Sequence, residues 1–159
     1  MDFDSLKGQP EESVVAEVER VAYASIARND VTSLESMMTH FMSPGWQALA
    51  KKSMTTLACC IMVKMDSSLP EFENIAVMII TKIKEQHHRI PYYECDFILR
   101  EGLSNLYINQ GRFTEGAEVL AQVNMDDFDD TQKADIYLKC AESCLNDDES
   151  GYAENYYNK

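Results

Sequence analysis

Residues 97–123, FILREGLSNLYINQGRFTEGAEVLAQV, decide how the rest of the chain is read. Their first half sets Leu99, Leu103, Leu106 and Tyr107 at i, i+4, i+7 and i+8, the spacing that gathers apolar side chains on one helical face. Their second half sets Phe113, Gly116, Ala117 and Leu120 at i, i+3, i+4 and i+7, a second stripe of the same period. Between the two, Gly111 reaches φ > 0 without steric penalty, so one helix is expected to stop near Gln110 and another to start within a few residues. Gly116 and Ala117 leave almost no side chain on their face, which lets two antiparallel helices approach closely. The stretch predicts a helical hairpin.

A lone hairpin cannot bury its stripe, so hairpins of this kind stack on one another. Sliding the chain by 37 residues sets Tyr107 over Cys144, Gly111 over Asp148, Gly116 over Ala153 and Leu120 over Tyr157, so a small and a large position both recur, while Phe113 falls on Ser150. The alternative is a single irregular bundle with one chance echo. The order Leu103, Tyr107, Gly111, Phe113, Gly116, Leu120, continued by Ala153 and Tyr157, resembles a tetratricopeptide repeat. The fold class expected is all-α, an α-α superhelix of TPR-like helical hairpins with about eight helices.

Upstream, residues 1–10 are polar and unpatterned and are expected to be disordered, with a helical-repeat domain over 11–159. Val14, Val18, Val21, Ala22 and Ile26 trace a first helix to about Ala27, Asn29 and Asp30 turn the chain, and Val31, Leu34, Met37, Met38 and Phe41 trace a second. Ser43 and Pro44 read as N-cap and first helical residue of a third. That helix keeps register from Trp46 through Leu49, Ala50, Leu57, Ala58, Ile61 and Met62 to Met65, a width that implies burial on two sides. Ser67, Ser68 and Pro70 are expected to open a fourth, with Phe72, Ile75, Ala76, Ile79 and Ile83 on one face.

Downstream of Val123, an aspartate in MDDFDDT is expected to cap a seventh helix carrying Ile136, Tyr137, Cys140, Ala141 and Cys144. Residues 146–149 then turn into an eighth, which shows about two turns of pattern. The polypeptide is accordingly expected to be the N-terminal part of a longer one. No stretch alternates with period two over more than four residues, so no strand is expected.

The chain has 159 residues and a net charge of -13. The charge is uneven, with 12 acids and 9 bases in residues 1–90 against 15 acids and 5 bases in 91–159. Such an acidic chain lacks the lysines and arginines that neutralise phosphates, so no nucleic-acid partner is expected. The longest apolar runs, 57–63 and 75–80, are far short of the about 20 residues that span a bilayer, and no membrane association is expected. Five cysteines without a basic, apolar leader fit a reducing compartment, cytoplasm or nucleus.

Signatures of catalysis are missing: there is no G-x-S-x-G elbow, phosphate-binding glycine loop, H-E-x-x-H or dinucleotide fingerprint. Cys140 and Cys144, at i and i+4, lack further ligands at zinc spacing, and His87 and His88 point about 100° apart on a helix. The acidic pairs lie in turns, where aspartate caps helices. No catalytic residue, cofactor or metal is expected. One charged group stands out: Lys82, Lys84, His87, His88 and Arg89 end the fourth helix, and Lys51 and Lys52 begin the third. If those ends adjoin, they merge into one basic surface for an acidic partner; otherwise the cations simply complement a helix C-terminus.

The segment from Tyr92 onward, 68 of the 159 residues, resembles the family of the fourth subunit of the COP-nine signalosome. The resemblance is carried by Arg100-Glu-Gly-Leu103-Ser-Asn-Leu106-Tyr107, by Glu115-Gly-Ala117-Glu-Val119-Leu120, and by Tyr137-Leu-Lys-Cys-Ala141. Its strongest block is Leu145-Asn-Asp147-Asp148-Glu-Ser-Gly-Tyr-Ala153-Glu154-Asn-Tyr156-Tyr157-Asn158. It implies an N-terminal array of helical repeats followed by a PCI domain and a C-terminal helix, both of which are expected to lie beyond these 159 residues. It also implies a non-catalytic scaffold and substrate-sensing role in the complex that removes NEDD from cullin-RING ligases. Partners would be the other signalosome subunits and the ligase. A lid subunit of the proteasome regulatory particle, or another scaffold of TPR and PCI type, is the alternative.

Overall fold

Three times in the chain a helix is stopped by the same three-residue device. A computed structural model, which describes residues 3–63 and 71–159, contains eight α-helices and no strand among those residues. α1 (Glu11–Ala27) and α2 (Val31–Phe41) are separated by three residues. So are α5 (Tyr93–Asn109) and α6 (Phe113–Ala121), and so are α7 (Asp130–Asn146) and α8 (Ser150–Tyr157). In each connection the middle residue is left-handed: Asn29 at φ 55, Gly111 at φ 76 and Asp148 at φ 58.

The hydrogen bonds repeat as well. The amide after the left-handed residue reaches back five positions, Asp30 to the Ser25 carbonyl at 2.9 Å, Arg112 to Tyr107 at 2.8 Å and Glu149 to Cys144 at 3.0 Å. The left-handed residue's own amide donates three positions back, to Ile26, Ile108 and Leu145. This is the double-bonded helix stop that satisfies the carbonyls a helix end leaves open. Only the middle turn uses glycine; asparagine and aspartate tolerate the left-handed region because their short polar side chains bond locally. The fold is thus all-α and assembled from helical hairpins, the class expected from the stripes.

Two compact units are present, Met1–Leu99 and Arg100–Lys159, with the division inside α5. In the first, α1 buries Val14, Val18, Val21, Ala22 and Ile26 against α2 and α3. Ahead of α3 (Gln47–Val63), Ser43 opens a 3-10 turn over Pro44–Trp46 rather than the α-helix itself. α3 buries Ala50, Met54, Leu57, Ala58, Cys60 and Ile61, a width explained by its packing on α1, α2 and a further 3-10 turn at Ile90–Tyr92. α4 (Glu71–Glu85) turns Phe72, Ile75, Ala76, Ile79 and Ile83 inward. The positions Met65, Ser67, Ser68 and Pro70 lie outside the described residues.

One departure from the sequence expectation occurs near the start. Phe3–Leu6 form a 3-10 turn, and Phe3 is buried with ring centroids 5.3 Å from His40 and 5.4 Å from Phe41. Trp46 completes the cluster, 5.0 Å from His40 and 5.3 Å from Phe41. A single aromatic is no periodic signal, yet its ring packs on His40 and Phe41 and ties down a short polar segment.

In the second unit, α6 packs on α7 and α7 on α8. α7 starts with a reciprocal cap: Asp129 accepts from the Gln132 amide at 2.8 Å, and the Gln132 side chain accepts from the Asp129 amide at 3.1 Å. α7 turns Ile136, Cys140 and Cys144 inward.

Candidate interaction surfaces

The residues read as repeat positions differ in their burial. Leu103, Tyr107, Leu120 and Ala153 are buried, and Gly111 forms its turn. A Cβ added at Gly116 would stand 3.1 Å from the Ser104 carbonyl oxygen and 3.0 Å from Ile108 Cγ1, so α6 crosses α5 there at close range. Phe113 is only half-buried. Tyr157, the counterpart of buried Leu120, is 76% exposed, because no helix of the second unit lies over that end of α8.

Polar contacts that no stripe announces fasten these hairpins. Arg100 is 3% exposed and donates to the Val119 carbonyl at 3.2 Å and to Gln122 Oε1 at 3.5 Å, holding the C-terminal end of α6. Asp147 Oδ2, in the α7–α8 turn, accepts from both the Thr114 amide at 2.8 Å and the Thr114 hydroxyl at 2.6 Å. Those bonds pull the Asp147 carboxyl below its ordinary range, the hydroxyl contributing most. Arg112 lies over the Tyr107 ring at 3.9 Å and is held there by both oxygens of Glu115, at 2.8 and 2.7 Å. The sequence hint for such contacts is an arginine inside an apolar stripe, as at Arg100.

The two lysine groups stand in different settings. Lys51 lies 3.7 Å from Glu94 and Lys52 3.9 Å from Glu11, and the four line a groove with Glu19 and Thr55. All four side chains are more than half exposed, so these pairs contribute little stability, but they cancel the local positive charge. At the α4 end, His87, His88, Arg89, Ile90 and Tyr93 line a second groove, with Ile90 75% exposed and Lys82 3.7 Å from Glu85. No lining residue is common to the two grooves.

The thiols are not activated. Burial pushes Cys60 and Cys140 up to about 11 and raises Cys95 and Cys144 as well. Cys140 instead donates to the Ala117 carbonyl at 3.5 Å, as a small core residue with a weak donor. Exposed Cys59 is also raised, by partial burial and then by nearby Glu94 and Glu19. Among the described residues no group of three or more His, Cys, Asp or Glu side chains is placed to hold a metal ion, and no helix is long and apolar enough to cross a membrane. What the geometry offers is surface: helix faces, charged grooves and rigid turns, the means by which stacked hairpins bind other proteins. No protein-family model matches the chain, and no curated protein matches it either.

Proposed function

We propose that this chain is a non-catalytic scaffold and substrate-sensing arm of the COP-nine signalosome, acting with the other signalosome subunits on cullin-RING ligases in cytoplasm and nucleus. The observation that carries the reading is the block from Leu145 to Asn158. Its acidic turn is the left-handed stop at Asp148, 37 residues after the one at Gly111, so the residues that carry the resemblance also mark the repeat phase. Catalysis belongs to another subunit on this reading, and the raised thiols are in keeping with it.

Affinity purification of the tagged full-length protein followed by mass spectrometry tests the assignment. Co-recovery of cullins and a metalloprotease subunit is the expected outcome. Recovery of proteasomal ATPases selects the lid instead, and a monomer without partners rejects both. For the charged surface, Lys51, Lys52 and Lys82 each face a carboxylate, so the two lysine groups are tested together. Reversing Lys51, Lys52, Lys82 and Lys84 to Glu is expected to slow association with an acidic partner, most at low salt. Unchanged association kinetics in a variant that still folds would leave these lysines with no role beyond solvation.

A further inference from the structure

The 3-10 turn at Phe3–Leu6 belongs to a segment with one buried anchor. Phe3 is 5% exposed, while Asp4, Ser5 and residues 7–10 lie at the surface. The bonds that shape the segment close on the segment itself. The Lys7 amide donates to the Asp4 carbonyl and the Gln9 amide to the Leu6 carbonyl, both at 3.1 Å, and the Gln9 side chain donates to the Ser5 carbonyl at 3.3 Å. Lys7 Nζ lies 2.7 Å from the Asp4 carboxylate. Gly8 follows at φ 85, with nothing within 4 Å of where a Cβ would stand, an open joint between this segment and α1.

The seat under Phe3 is made by His40 and Phe41 of α2 and by Trp46 ahead of α3. Its rings are packed, but two of its nitrogens are unserved. Trp46 Nε1 and His40 Nε2 are buried without a hydrogen-bond partner among the described residues. Trp46 is 2% exposed, and its indole N–H can only donate. A buried donor left without an acceptor is costly and is ordinarily met by protein or ligand. The Asp4 carboxylate stops 4.0 Å from His40 Nε2 and pairs with Lys7.

We propose that Phe3–Leu6 is a detachable plug, and that the seat beneath it docks a short segment of another protein in which a phenylalanine is followed by a carboxylate. The chain itself shows the ring that fits. A segment whose carboxylate is not tied to a lysine can bring an acceptor to the two nitrogens, an interaction the plug does not supply. The plug's advantage is its tether, which holds it near the seat at high effective concentration and keeps weak apolar segments out. The inference rests on residues 3–46 and does not depend on the signalosome reading, whose residues begin at Tyr92.

Phe3→Ala in the full chain is expected to release the plug, read as a red shift in emission from Trp46, the one tryptophan of the sequence. The probe is a fluorescein-labelled peptide of residues 2–9 with Lys7→Ala, titrated into that variant by fluorescence anisotropy. Saturable one-to-one binding is expected, about tenfold weaker on the wild-type chain, where the tethered plug competes. The probe with Phe3→Ala should not bind, and the probe with Asp4→Asn should bind about fivefold more weakly. Absence of saturation on a variant that keeps its helical circular dichroism overturns the proposal, as does an affinity indifferent to the plug, the ring or the carboxylate. If Phe3→Ala unfolds the chain, the wild-type titration at correspondingly higher probe carries the same test. A concentration-dependent dimer of the wild-type chain that Phe3→Ala dissolves also overturns it, making the plug of a second copy the occupant.

Discussion

Gly116 and Asp148 show how much one residue decides in a hairpin repeat. At Gly116 the obstacle to a side chain is partly backbone, the Ser104 carbonyl, which cannot step aside as the Ile108 side chain can. Gly116→Leu is therefore expected to cost about 1–3 kcal/mol by chemical denaturation. Gly116→Ala, which gains about 1 kcal/mol of helix propensity against the same contact, should stay near wild type. Asp148 presents the reverse case. It holds φ 58 with a side chain, and it adds a negative charge beside the C-terminus of α7, where the macrodipole is already negative. Asp148→Gly removes both penalties and is expected to stabilise by about 0.5–1 kcal/mol, read as a raised Tm.

Among the elements, the hairpin turns were legible in the sequence and the clamps between hairpins were not. Gly111 announces its turn through composition, and Asp148 is found by sliding the chain. Asn29 announces its turn through the Asn-Asp dipeptide alone. Periodicity then placed the helices, because a stripe at 3.6 residues needs no knowledge of the neighbour it packs against. Thr114 and Asp147 are 33 positions apart and individually ordinary, so only their meeting in space reveals that one turn fastens the next hairpin. That contact has a pH signature. The folded value of Asp147 is depressed, so its contribution to stability is present above about pH 4, the ordinary aspartate range, and is lost as acid protonates it. Denaturation midpoints measured from pH 6 to pH 2 should fall for the native chain and fall less steeply for Asp147→Asn. The candidate surfaces were half legible for the same reason: the sequence marks where lysines cluster, but not that Glu11 and Glu94 face Lys51 and Lys52.

For the molecule as a whole, the acidic composition and the apolar stripes serve separate ends. Four of the five cysteines are buried and Cys59 alone is exposed. Iodoacetamide at pH 8 under native conditions is thus expected to modify one thiol, at Cys59, and slowly, because its thiolate is disfavoured. The other four should react only on unfolding, and peptide mapping by mass spectrometry distinguishes the sites. Fast labelling at Cys140 or Cys144 would mean that α7 leaves its neighbours often, since both thiols lie on its buried face.

The recurrence of one turn at Asn29, Gly111 and Asp148 makes the joint of this chain portable. A duplication or deletion that begins and ends just after such a joint creates no new junction chemistry, since every helix that follows it meets the same preceding backbone. A second copy of residues 113–149 spliced after Glu149 would put Phe113 behind Glu149 as it now stands behind Arg112. Lengthening the gene in this way should add one hairpin's worth of helical signal without lowering Tm, so that the chain grows in steps of 37 residues much as a ruler is extended by its own divisions.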